Sequence, residues 1–267
     1  MENLNKLYDL TLKIKSIIHK SHFKKNDARL AYFENLYSII NEFYAGKVFF
    51  RIAQEIKNGS IKFDQSIAPL QPHILRVYEI ADHPLLANGY HNDLNRRLFI
   101  DTFTNFETTI SFCFEEIISD DEMGKIVVDL NSRIIKITKD LPDENKDLLL
   151  NELKKNTFIP LSRKFRYLSK LKTNCYPADI KSDLAFIEFC SKLRNCVSHS
   201  AGYYKGNDFQ YEFENVMFIF KNDAFLDMQG LNEFVFLKIN ERLSNIINNL
   251  NACLEHIGFI QYPDDGF

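Results

Sequence analysis

The segment LRNCVSHSAG at 193–202 holds the residue types best suited to chemistry, Arg194, Asn195 and His199. An imidazole with an ordinary pKa of about 6.5 exchanges a proton near neutrality, so His199 is a candidate general acid or base. A guanidinium stays charged and presents a fork of donors, which suits Arg194 to an oxyanion that gains charge during a reaction, a phosphate above all. The spacing constrains the backbone. At about 100° per residue, positions five apart lie about 140° apart on a continuous helix. Both side chains face one site only if the helix ends or distorts between them. Gly202 just downstream is a suitable helix breaker.

Arg194 falls on one helical face with Ile187 and Cys190, and a charge that points toward packed surface needs a partner or a ligand. Glu107 presents the complementary problem, because it sits between Phe103 and Ile110 on an apolar stripe. Pairing across the molecule would satisfy both groups and fix the direction of the guanidinium. The plainer alternative leaves Glu107 reaching water at the edge of its stripe, with Arg194 and His199 capping a helix end where free carbonyls attract cations. Tyr203 and Tyr204 follow the motif and would either stack a base or pack on the next segment. Arg163, Lys164, Phe165, Arg166 and Tyr167, with Lys170 and Lys172, mix cations and aromatics as single-stranded RNA binding does, but a solvated amphipathic helix has the same appearance. Arg76 and His83 repeat the arginine-to-histidine pattern without a polar residue after the arginine, in a proline-rich stretch. His73, His83, His91 and Asp93 have no HxxxH or HExxH arrangement, so no metal site and no cofactor are expected.

Helical periodicity dominates the chain, which predicts a mainly α fold. Leu7, Leu10, Ile14, Ile17 and Ile18 mark one helix, and Phe33 to Tyr44 a second that ends near Asn58-Gly59. Residues 59–92, with Pro69, Pro72, Pro84 and Gly89, read as a loop-rich connection. A division follows into an N-terminal helical region, 1–91, and a helical bundle domain, 92–267. Within the bundle, Phe99 to Ile117 predicts a long helix from about Asn92, and Met123 to Ile137 a second. Shorter pieces cover 148–153 and 161–171. The motif helix is expected from about Ser182 as N-cap, and the final helix over Phe236–Ile257. FQYEF, VMFIF and the turn-forming KNDA between 209 and 228 predict a small β-hairpin before that last helix.

With these elements in place, LRNCVSHSAG resembles the signature of the HEPN superfamily: an arginine, a polar residue that is often asparagine, then a histidine a few residues on. Arg194, Asn195 and His199 match it position by position. FTNFETTI before the motif helix, and the glycine, hairpin and long helix after it, agree with the layout of bacterial members over about 92–258. The resemblance implies a HEPN-like four-helix bundle with an N-terminal helical extension. It also implies a metal-independent endoribonuclease, built as a homodimer whose two protomers contribute arginine and histidine to a composite site. In that scheme the ribose 2′-OH attacks the adjacent phosphorus, leaving a 2′,3′-cyclic phosphate or its 3′-phosphate hydrolysis product and a 5′-OH. His199 transfers the proton, Arg194 stabilises the charged transition state, Asn195 orients one of them or binds the phosphate, and Glu107 supports Arg194. A toxin or antiviral role, with an antitoxin or other regulatory protein as partner, is likewise implied. The alternative is a catalytically silent HEPN domain that binds RNA or dimerises.

Composition sets outer limits. The formal charge of −3 excludes a protein that coats nucleic acid by bulk attraction and leaves room for a local basic patch. The first twenty residues lack a secretory signal pattern, and no run approaches the roughly 20 apolar residues of a membrane span. Five scattered cysteines without a CxxC pair predict reduced thiols and a cytoplasmic protein.

Overall fold

The computed structural model describes residues 2–60, 76, 84–138, 141–172, 175–199, 202–226 and 232–262. Among them it is mainly helical. The order is α1 (Glu2–Lys20), α2 (Ala28–Lys57), α3 (Pro84–Ile117), α4 (Asp120–Leu130), α5 (Ser132–Ile137), α6 (Asp143–Asn156), α7 (Leu161–Leu168), α8 (Ile180–His199), β1 (Tyr203–Tyr204), β2 (Phe209–Phe213), β3 (Val216–Phe220), β4 (Ala224–Phe225) and α9 (Glu233–Cys253). Helix α3 is the axis, since α2, α7, α8 and α9 all pack on it. Its phenylalanines Phe99, Phe103 and Phe106 lie in one core with Leu7 of α1, Phe33 of α2, Phe186 of α8 and Leu243 of α9.

The expected division falls at residue 91/92. Helix α3 runs across it, starting at Pro84 instead of near Asn92, and α1 and α2 share the core of the remaining helices. The physical reason lies at the start of α3. Proline is tolerated in the first turn, where its missing amide would have no partner. The cost of Gly89, about 1 kcal/mol, is met by tertiary packing. Tyr90 stacks on Phe50 of α2 at 5.2 Å between centroids, and Leu94 lies so close to Gly46 that an added Cβ would stand 3.3 Å from it. Pro69, Pro72, His73 and His83 lie outside the described residues.

Asn131 breaks what periodicity predicts as one helix over 123–137. Its side-chain amide donates to Val127 O at 2.9 Å and Thr157 Oγ1 at 2.8 Å, so the chain turns there and ties α4 to the end of α6. Helix α4 starts with a capping box. Ser119 Oγ accepts the Glu122 amide and donates to the Glu122 carboxylate, which also accepts the Tyr167 hydroxyl at 2.6 Å. Those hydroxyls, Tyr167 first, hold the Glu122 carboxyl below its usual range. A depressed carboxylate stabilises the fold above its ordinary pKa, and the contribution disappears as pH falls through the folded-state value. Tyr167→Phe is therefore expected to raise the Glu122 pKa, which side-chain carboxyl NMR titration of parent and variant reads directly. No change would mean the hydroxyl does not engage it.

The expected hairpin is present as β2–β3, but its turn is Glu214-Asn215, not KNDA. Both turn residues have positive φ, 50° and 62°, which matches the twist of a two-residue hairpin loop. KNDA instead leads from β3 into β4, which pairs with β1 immediately after the motif helix. The five thiols are free, and burial pushes those of Cys113 and Cys253 up to about 12.

Candidate functional site

Helix α8 carries the motif and is held along its length. Its first turn is capped by Asp179, whose carboxylate accepts the Lys181 amide at 2.9 Å, so the start lies just ahead of the expected Ser182. Asp183 accepts the Tyr176 hydroxyl at 2.7 Å and meets Arg242 of α9 at 3.4 Å. Phe189 stacks on Tyr211 of the hairpin at 4.8 Å, and Ile187, Cys190, Leu193 and Cys196 are buried. The rigid body of the helix thus fixes where Arg194 emerges.

Arg194 emerges beside Glu107 of α3, with 3.8 Å between Nη2 and Oε2. A second terminal nitrogen donates to Asn195 Oδ1 at 3.4 Å, while Nε is buried without a hydrogen-bond partner. The pair sits at the surface, the arginine side chain 27% and the glutamate 35% exposed, and Asn195 is exposed. A separation of 3.8 Å orients a guanidinium without saturating its donors. Arg29 shows the opposite state, with all five of its donor hydrogens accounted for by Asp27 and the carbonyls of Leu254, Ile257 and Gly258.

The helix does not break between Arg194 and His199, contrary to the simplest single-chain expectation. It continues to His199, the chain reverses afterwards at Gly202 with φ +94°, and the Gly202 amide donates back to Cys196 O at 2.8 Å. Positions 194 and 199 therefore leave one helix about 140° apart. The imidazole of His199 lies outside the described side chains.

Tyr203 and Tyr204 part company. Tyr204 is buried, edge-on to Phe220, donates its hydroxyl to Asn207 O at 2.8 Å and accepts from Lys192 at 3.1 Å, so it organises the turn after α8. Tyr203 is half-buried and meets the exposed ring of Phe225 edge-on at 5.1 Å. Phe225 was not singled out in the sequence because only the β1–β4 pairing brings it to the motif. Gly206 makes room for Tyr204, since an added Cβ would stand 2.7 Å from its hydroxyl. Gly206→Ala is expected to cost about 1–3 kcal/mol by overpacking, measured as a lower urea midpoint. An unchanged midpoint would mean the turn yields freely.

Comparison with known proteins finds no match to a family model, a curated protein or a solved structure. Function is therefore legible only from the side chains. Among the described residues no group of histidine, cysteine, aspartate and glutamate is arranged to hold a metal, and no helix is long and apolar enough to cross a membrane. What the motif end of α8 presents is an oriented guanidinium with donors to spare, an exposed amide beside it, and a half-open aromatic pair one turn of chain away. Such a surface suits a phosphate and a base.

Proposed function

We propose that the chain is a metal-independent endoribonuclease of the HEPN type, acting as a homodimer. The observation that carries this reading is Arg194, aimed by Glu107 at 3.8 Å yet left with unused donors at the surface end of the helix that bears Asn195 and His199. The buried structural Arg29 has its donors filled. Arg194 keeps its donors for a ligand whose charge grows during reaction.

The continuous helix through His199 supports the dimer. Residues that diverge by about 140° on one helix share a scissile phosphate when a twofold axis brings a second copy of the motif alongside. His199 then moves the proton from the 2′-OH or to the leaving 5′-oxygen, Arg194 stabilises the phosphorane-like charge, and Asn195 holds the phosphate or the imidazole. Tyr203 with Phe225 offers a face to a base beside the cut, a part Tyr204 is too buried to take.

Incubation of purified protein with RNA in excess EDTA is expected to give 2′,3′-cyclic phosphate and 5′-hydroxyl ends, and to leave the matching DNA intact. Loss of cleavage in EDTA, or cleavage of DNA, would sink the mechanism. Retained RNA binding with no cleavage would identify a silent HEPN module. The cytoplasmic toxin or antiviral role, with an antitoxin as partner, comes from the resemblance. Induced expression of the parent is then expected to arrest growth while Arg194→Ala does not.

A further inference from the structure

A cleft of about 1000 Å³ opens between the end of α7 and the first turn of α8, at the opposite end of α8 from Arg194. Four cations line it, Arg166, Lys170, Lys172 and Lys181, and all four are exposed. None of them has a carboxylate within ion-pair distance among the described residues. The preceding cations of α7 are matched, Arg163 with Asp129 and Lys164 with Glu115, as are Lys192 with Glu188 farther along α8 and Arg242 with Asp183. Asp179 is the carboxylate of the lining, and it is engaged in capping α8. In a chain with net charge −3, four unmatched cations gathered around one concavity concentrate positive potential there.

The aromatics of this run are not presented to a ligand. Phe165 is fully buried against Tyr176, and Tyr167 packs edge-on to Phe114 with its hydroxyl on Glu122. Tyr176, the aromatic of the lining, is buried with its hydroxyl on Asp183, so the cleft offers charge without an open stacking platform, which selects backbone phosphates over bases. From Lys181 to Arg194 is thirteen residues of helix, about 20 Å. That span admits a strand of several nucleotides and no single nucleotide. Both places border α3 and its neighbours: Lys164 of α7, the helix whose end lines the cleft, reaches Ser111 and Glu115, four and eight residues beyond Glu107, the partner of Arg194.

We infer that this cleft is a phosphate-gripping exosite for single-stranded RNA, which holds the strand by its backbone, without sequence preference, several nucleotides from the bond to be cut. The inference rests on the ribonuclease reading for the identity of the polyanion, and its test is separable from that reading. The probe is a fluorescent 2′-O-methyl oligonucleotide, which lacks the attacking hydroxyl and reports binding alone. Its affinity is measured by anisotropy across a salt series for the parent, for Lys170→Gln/Lys172→Gln/Lys181→Gln, and for a control with the same charge change at the exposed Lys24, Lys25 and Lys221. Each phosphate neutralised on a single strand contributes about 0.7 to the slope of log affinity against log salt, so loss of three contacts lowers the slope by about 2. That drop is expected in the cleft variant and not in the control. On cleavable RNA the cleft variant is expected to raise KM with kcat unchanged. The proposal is overturned if the parent does not bind the strand, if the cleft variant keeps the parental slope, or if the control falls equally. A parent that binds with the expected slope but never cleaves RNA would remove the catalytic reading and leave the exosite standing.

Discussion

Replacing Arg29 by methionine is expected to destabilise the fold by about 3–5 kcal/mol, a large part of the roughly 5–15 kcal/mol that holds a typical domain together. The side chain is 3% exposed and its partner Asp27 2%. Nε and Nη2 donate to the two carboxylate oxygens at 2.8 and 2.7 Å, Nη1 to the carbonyls of Leu254 and Ile257, and Nη2 also to Gly258 O at 2.7 Å, while Phe23 lies against the guanidinium at 4.2 Å. One residue thus closes the C-terminal end of α9, anchors the tail that pairs with residues 26–28, and neutralises the carboxylate that caps α2. Methionine fills the space and leaves Asp27 buried with an uncompensated charge and the carbonyls of Ile257 and Gly258 without donors, while Leu254 O keeps the Ile257 amide. Thermal melting should fall by about 10 °C, and lysine should rescue little, because an ammonium cannot serve five directions at once. Pairing Arg29→Met with Asp27→Asn keeps the cap and removes the orphaned charge, so the double-mutant cycle is expected to return about 1–3 kcal/mol of coupling. A melt unchanged from the parent in the single variant would mean the clasp is not what holds the tail.

Nothing in the sequence marks Arg29 for this duty, because its carbonyl partners lie 225 residues or more away and a backbone oxygen has no residue type to read. Arg194 was legible for the opposite reason. Its partner Glu107 is a charge on an apolar stripe, and a misplaced charge is visible in a linear pattern before any fold is known. The same logic governed the elements. The stripes of α2, α3, α8 and α9 carry their own period, so their existence was readable, whereas the start of α3 was not, since the packing of Tyr90 and Leu94 on α2 overrides the local signals of Pro84 and Gly89. The hairpin was readable from Phe209 to Phe220, but its turn was not. Glu214 is an unusual occupant of a positive-φ position, and KNDA is the stronger turn by composition. Lys181 joined the basic run of α7 only through the fold, and Tyr204 left the candidate site because Phe220 and Asn207 claim it.

Arg194→Ala is expected to lower RNA cleavage by about 10²–10³-fold in kcat, the range for removing one preorganised donor from a developing oxyanion. Because the Arg194 side chain is more than a quarter exposed and its contact with Glu107 is 3.8 Å, the same change should leave stability within about 0.5 kcal/mol of the parent, so activity and folding separate cleanly. Lysine at 194 should recover only a small part, since a point charge cannot present two parallel donors to a phosphate. Glu107→Gln should act through the arginine's direction, costing less than Arg194→Ala and adding nothing to it in the double variant. Catalysis by His199→Ala protein should fail as well, and the two inactive proteins together make the sharpest test. If each site takes Arg194 from one protomer and His199 from its partner, half the dimers in an equal, re-equilibrated mixture are mixed. Each mixed dimer then holds one intact site out of two, and about a quarter of parental activity returns. A site assembled within a single chain gives no recovery at all. The continuity of α8 from Ile180 to His199 leads us to expect the quarter.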